Sequence, residues 1–187
     1  MNFKEVEYKY RVPDLKLTDF HVAAQVLKPT RYVEAAGYDY YFTDPKGQDF
    51  VRYRAGDRQE LTTKRKTATT NNYVRDEFNL LIGKGQTIER IAGFLDSLGY
   101  PRMNFSIFKA CFIYFFDTFD LVFYVVYDQD MKEMDRFLEI EMLEDYPWKH
   151  EDEARKALND IEEKLGHLGA KKSKRESKSL FERYRKD

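Results

Sequence analysis

Glu5-Val-Glu-Tyr-Lys9 lies within a run, residues 1–12, that reads as a β-strand with two unlike faces. On a period of two, Glu5, Glu7, Lys9 and Arg11 share one face, and Val6, Tyr8, Tyr10 and Val12 share the other. The second face is apolar and aromatic and can pack in a core. The first carries two acids and then two bases. Such a face suits open water, or a polar cavity where carboxylates hold a cation and bases hold an anion. The remaining strands decide between these.

Outward from this strand, Pro13 ends the extended run, and residues 14–27 space Leu17, Phe20, Ala24 and Leu27 as a helix. Residues 32–44 form a Tyr- and Phe-rich strand closed by Asp44-Pro-Lys-Gly47. Residues 49–55 and 60–66 read as hairpin partners across Gly56-Asp57, followed by a polar loop over 67–72. Residues 73–82 are a further strand. Residues 86–98 change period: Ile88, Ile91, Ala92, Leu95 and Leu98 make a helical stripe, with Gly99 as C-cap and Pro101 beyond. Strands follow over 104–116, 121–128 and 136–143. Residues 151–168 are an amphipathic helix presenting Ala154, Leu158, Ile161 and Leu165, and 169–187 is a basic C-terminal segment. The expected fold is β-rich, α+β, in a single domain over 1–187. About eight antiparallel strands with a few flanking helices curl into a closed or nearly closed barrel.

Composition narrows the function classes. Net charge is −1, so no global field draws the chain to nucleic acid or acidic lipid, yet 35% of residues are charged. That charge must therefore be sorted locally. Cys111 is the single cysteine, which excludes an intramolecular disulfide and fits a reducing, cytoplasmic compartment. No apolar run reaches bilayer-spanning length, so no membrane partner is expected. The basic run Lys171-Lys-Ser-Lys-Arg175 is read as a solvated tail folding back near a cavity mouth, because no aromatic-rich basic patch accompanies it. His21, His150 and His167 stand apart from any metal-ligand spacing, Trp148 is a loop-packing residue, and Cys111 is a packed thiol.

Period two recurs strand by strand. Arg52 and Arg54 share a face, as do Glu60, Thr62, Lys64 and Lys66, and likewise Arg75 and Glu77. Lys109 stands two residues before Cys111, and Glu139 and Glu141 repeat the E-x-E form of the first strand. A barrel with an apolar interior and a charged exterior would give this pattern. So would the reverse. In the reverse case so many charges require water, a metal and a highly charged anion. Paired glutamates are hard oxygen ligands suited to Mg²⁺ or Mn²⁺, and the Lys and Arg set suits triphosphate oxygens.

These residues resemble the CYTH superfamily, the triphosphate tunnel metalloenzymes named for class IV adenylyl cyclases and thiamine triphosphatases. Glu5-Val-Glu-Tyr-Lys9 is similar to its E-x-E-x-K signature, and Tyr38-Asp-Tyr-Tyr-Phe42 to its aromatic second strand. Val51-Arg-Tyr-Arg54, Leu61-Thr-Thr-Lys64 and Arg75-Asp-Glu77 resemble its R-x-R, T-x-K and R-x-E strands. Asp128 with Phe137-Leu-Glu-Ile-Glu141, and Lys178-Ser-Leu-Phe181, resemble its late segments.

The resemblance implies inward charges in a triphosphate tunnel. It implies Glu5, Glu7, Asp128, Glu139 and Glu141 as metal ligands. Lys9, Arg52, Arg54, Lys64, Arg75 and Lys109 would bind substrate, and Lys9, Glu7 and Glu77 would be catalytic. The expected K-x-R strand is here Lys109-Ala-Cys111, so Arg11 or Lys66 would have to replace the missing arginine. The implied activity is a Mg²⁺- or Mn²⁺-dependent triphosphatase. The alternatives are a class IV-type adenylyl cyclase and a non-catalytic phosphate-binding module. The expected partner is a triphosphate-bearing small molecule, with a homodimer left open.

Overall fold

The strands are β1 (Lys4–Arg11), β2 (Arg31–Thr43), β3 (Phe50–Gly56), β4 (Glu60–Lys66), β5 (Val74–Leu81), β6 (Arg102–Phe115), β7 (Phe119–Tyr127) and β8 (Glu133–Met142). The helices are α1 (Leu17–Val26), α2 (Ile88–Ser97), α3 (Glu151–Lys164) and α4 (Leu180–Tyr184). This computed structural model describes residues 4–47, 49–66, 74–142 and 151–185, with side chains at all of these except 4, 5, 64–66, 74–76 and 151. The loop expected over 67–72, along with Trp148 and His150, lies outside the described residues.

The strands close into an antiparallel barrel in the order β1-β5-β4-β3-β2-β6-β7-β8. β1 is the strand that shuts it. Its first residues pair with β5 (Glu5 opposite Arg75), and its later ones with β8 (Glu7 opposite Glu141, Lys9 opposite Glu139). Where β2 and β3 begin to separate, their backbones touch at Gly37 and Gly56. A Cβ on Gly56 would come within 2.2 Å of the Ala36 carbonyl oxygen. Only glycine permits that approach.

The main apolar core lies outside the barrel, under the helices. Val6, Tyr8 and Tyr10 of β1, Leu121 and Phe123 of β7, and Leu138 and Ile140 of β8 are buried against Phe20 and Ala24 of α1 and Leu158, Ile161 and Leu165 beyond them. Each such Leu, Ile or Phe contributes about 1.5–3 kcal/mol by leaving water. A second outer cluster packs Ile91 and Leu95 of α2 on Phe42 and Tyr53. The opposite parity of the same strands points inward and carries most of the buried charge. The interior is therefore the polar side, and the arrangement with an apolar lumen is excluded.

Among the boundaries that differ from the sequence expectation, two have a plain physical cause. The last long helix stops at Lys164, and a 3₁₀ turn over Gly166–Leu168 leads to Gly169 at φ 98°, a left-handed conformation glycine accepts. β8 starts at Glu133 rather than 136, because the tight β7–β8 turn lets Glu133 pair with Tyr127. The C-terminal segment is also more ordered than its polar composition suggests. Arg175 bridges to Tyr10 of β1, and α4 follows with a capping box between Ser179 and Glu182. Leu180 and Phe181 of α4 are buried against the inner side of the barrel. Among the described residues, no helix is long and apolar enough to cross a membrane.

Candidate active site

The barrel encloses a cavity of about 310 Å³. Strand alternation brings Glu7, Lys9, Arg52, Arg54, Glu77, Lys109, Glu139 and Glu141 to its wall. Those eight candidates from five strands thus share one space.

One side is acidic. Pairing register sets Glu7 of β1, Glu141 of β8 and Asp120 of β7 in a row across three adjacent strands, with Lys9 and Glu139 one step along. The Lys9 ammonium lies 3.9 Å from Glu139 and 4.0 Å from Glu7, so it counters both loosely. Tyr124 donates a hydrogen bond of 2.7 Å to Glu139. Burial, and then that carboxylate, push the Tyr124 phenol well above its ordinary pKa, so it stays a donor. Asp120 has a buried Oδ1 with no hydrogen-bond partner, and burial pushes its carboxyl up to about 6, with Arg31 opposing.

The facing side is basic. In the strand order β3 stands four positions from β8, across the ring. Arg54 donates two hydrogen bonds, 2.7 and 2.9 Å, to the fully buried Asp39 of β2. Burial alone would raise the Asp39 pKa, but the Arg54 and Arg52 guanidiniums hold it well below the carboxylate range. Arg52 donates to Thr62 at 2.8 Å and lies 3.5 Å from Glu60, which also meets Arg58 at 3.0 Å. Lys109 is buried with its ammonium 3.9 Å from the Tyr124 ring centroid. Desolvation lowers its pKa, and Arg54 adds to that effect, against several opposing anionic groups. Cys111, where the resemblance expects an arginine, also lines the cavity.

Two candidates are placed elsewhere. Arg11 is half exposed and pairs with Asp135, which in turn accepts from Arg183 and Tyr184 of α4. Asp128 sits in the β7–β8 turn, where its Oδ1 accepts from the backbone N–H of Asp130 at 3.0 Å and Lys132 at 2.9 Å. Neither lines the cavity. For Glu5, Lys64, Lys66 and Arg75 only the backbone is described. Glu5 and Lys66 each pair with Arg75, and Lys64 pairs with Glu77. Asp39, Asp120 and Tyr124 escaped the sequence reading. Asp39 is the lone charge within the aromatic run 38–42 of β2. Asp120 is in phase with Tyr124, a signal available had the strand been started two residues earlier.

A closed antiparallel barrel with a charged lumen and helices on its outer face defines a class of fold, and residues 4–176 match the CYTH domain. The chain belongs to the CYTH family. No curated protein matches it. Its fold is similar to a conserved hypothetical protein of Pyrococcus furiosus, at TM-score 0.68 and 24% identity over 95% of this chain and 98% of the other. It is also similar to a candidate adenylate cyclase of Vibrio parahaemolyticus, at TM-score 0.69 and 14% identity over 96% and 97%. A third likeness is to the S. pombe RNA triphosphatase Pct1, at TM-score 0.50 and 13% identity over 90% and 84%. At these identities the likeness is one of fold.

Proposed function

We propose that this protein is a divalent-metal-dependent hydrolase of a triphosphate-bearing substrate, organic or inorganic, bound in the barrel cavity. The observation that carries the reading is the charged inner wall, where the carboxylates of β1, β7 and β8 lie across the ring from the arginines of β3, with Lys9 and Lys109 among them and Glu77 and Glu60 on the intervening β5 and β4. The names of two fold relatives, an RNA triphosphatase and a candidate adenylate cyclase, agree with a triphosphate ligand.

The donor set fits Mg²⁺ or Mn²⁺ in its chemistry. Glu7, Glu139, Glu141 and Asp120 are oxygen donors only, and Asp120 has an oxygen without a hydrogen-bond partner. Among the described residues no three such side chains are grouped to hold an ion unaided. Mg²⁺ is commonly held by one or two carboxylates together with substrate phosphates and water. The bound cation would supply positive charge to the phosphate oxygens.

The chain's own residues do the rest. Lys109 and Arg52 neutralise the phosphate chain, and Arg54, held by Asp39 through Nε and Nη2, presents Nη1. Lys9 stabilises charge developing on the terminal phosphate. Glu7 or Glu77, both buried on the wall, would take the proton of the attacking water as the terminal phosphate parts from the remaining diphosphate, which leaves with the bridging oxygen. Cyclisation would instead require a ribose hydroxyl and the α-phosphate to meet inside. A cavity of about 310 Å³ is at the low end for small-molecule sites and supports entry of the phosphates rather than a whole nucleotide.

The test is incubation with ATP, GTP, thiamine triphosphate and tripolyphosphate plus Mg²⁺ or Mn²⁺. Phosphate release supports the hydrolase, cyclic nucleotide with pyrophosphate replaces it with a cyclase, and binding without turnover replaces it with a binding module. Glu7→Gln should lower metal-dependent kcat by about 10²–10³ while leaving the melting temperature near wild type. Undiminished turnover would remove Glu7 from the mechanism.

A further inference from the structure

Along β6 the inner wall changes character. Lys109, Cys111, Ile113 and Phe115 share the cavity face, one charge followed by three apolar side chains. Val122 of β7, opposite Ile113, carries the apolar panel onto the next strand and also lines the cavity. The arginine that the resemblance expects at Cys111 would have stood inside this panel. Its replacement by a thiol does more than remove a charge, because it makes the panel continuous.

The panel ends on a ledge. The register of β2 with β3 begins at Gly37–Gly56, but its register with β6 begins at Arg31–Phe115. β2 and β6 therefore run on past the end of β3 by about 20 Å of strand. Arg58, which follows β3 at this same end, lines the cavity with its side chain 63% exposed, so the cavity meets water here. At the tip of the ledge the Arg31 guanidinium carbon lies 3.9 Å from the Phe115 ring centroid. Phe115 is half-buried and Arg31 is exposed. One side of the guanidinium thus rests on the ring, and the other is open to solvent.

We propose that this ledge is a ring-stacking subsite, where Phe115 and Arg31 hold the base of a nucleoside triphosphate whose phosphates lie deeper, among Arg52, Arg54 and Lys109. This rests on the hydrolase reading and narrows its substrate class. Phe115 lies about 20 Å along β6 from Lys109, so phosphates gripped at the deep end leave the ledge to the group that follows them. A neutral planar ring gains there in two ways. It covers the apolar surface of Ile113, Phe115 and Val122, and it stacks on the Phe115 ring or on the guanidinium plane. A bare phosphate chain gains neither, since a phosphate against Ile113 and Val122 would lose water without finding a partner.

The experiment compares ATP with tripolyphosphate as substrates of the full-length protein in Mg²⁺, read as the ratio of their kcat/KM values. Phe115→Ala should lower the ATP-to-tripolyphosphate ratio at least about tenfold, Arg31→Ala should lower it by a smaller factor, and Phe115→Trp should keep it near wild type. Arg31 is exposed, so Arg31→Ala carries the test if Phe115→Ala fails to fold. A wild type that prefers tripolyphosphate, or an unchanged ratio in the folded variants, overturns the subsite and leaves the hydrolase standing. Arg31→Ala weakening both substrates equally is such a result, and would make Arg31 a phosphate ligand. If wild type cleaves neither compound, the same ratio is read from dissociation constants by calorimetry. A ratio that then depends on Phe115 keeps the subsite while the hydrolase reading falls, and binding of neither removes both.

Discussion

The two sides of the cavity carry opposite charge, and they differ more deeply in how that charge is answered. On the basic side the protein supplies its own counter-ions at short range: Asp39 for Arg54 at 2.7 Å, and Glu60 for Arg52 and Arg58. On the acidic side Lys9 reaches Glu7 and Glu139 only at about the limit of an ion pair, 4.0 and 3.9 Å, and Asp120 keeps a bare oxygen. Charges withdrawn from water need close partners. The basic side is thus the more nearly finished of the two, Arg52 Nε excepted, while the ion pairs described on the acidic side are long. The proposed function answers that contrast with a cation at β1, β7 and β8 and the anion beside it.

The largest effect should come from breaking the finished side. Asp39→Ala leaves two partly buried guanidiniums without their shared carboxylate. Loss of one partner of a buried pair costs about 3–5 kcal/mol. The lower end applies, because the Arg54 side chain is 26% exposed. Denaturant unfolding should show a midpoint shift of that size, and a loss below about 1 kcal/mol would mean that the pair is not a structural fixture. Asp39→Asn, which keeps one acceptor, should cost less.

The unfinished side predicts a pH effect of intermediate size. Asp120 titrates near 6 in the fold, against about 3.9 for an exposed aspartate. Between those values the folded chain holds a proton that the unfolded chain has lost. The folded form is therefore penalised progressively as pH rises from about 4 to about 6, and by a constant amount above that. Asp120→Asn should raise the melting temperature at pH 7 more than at pH 4. Saturating Mg²⁺ should narrow the pH 7 difference by giving the wild-type carboxylate a partner. Equal shifts at both pH values would show that Asp120 is not under this strain.

Much of this was legible from sequence because strand alternation is a local property. Glu7, Lys9, Arg52, Arg54, Glu139 and Glu141 announce a shared face through spacing alone. Which way the face points is not local. It is decided by α1 and α3, whose apolar stripes need Tyr8, Phe123 and Ile140 on the outside. Asp128 misled because it is an aspartate beside a turn. Its side chain can serve backbone N–H groups as readily as a cavity, and the N–H groups of Asp130 and Lys132 win. α4 was hidden by composition. Ser179-Leu-Phe-Glu182 is a readable capping box, but its burial depends on Asp135 and Glu162, far away in sequence.

Arg11 gives the smallest and most discriminating effect. It shares strand parity with Glu7 and Lys9, so alternation alone would place it among the phosphate-binding residues, in compensation for the arginine absent at Cys111. The structure sets it instead against Asp135, outside the cavity, with half of its side chain in water. Asp135 keeps Arg183 and Tyr184 when Arg11 is removed, so no buried carboxylate is stranded. Arg11→Ala should therefore change stability by no more than about 1 kcal/mol, the scale of an exposed pair. Its KM for tripolyphosphate should match wild type, whereas Arg52→Ala should raise KM. If Arg11→Ala raises KM as much as Arg52→Ala does, the phosphate site reaches Arg11, and the contrast between the two sides of the cavity would have to be redrawn around β1.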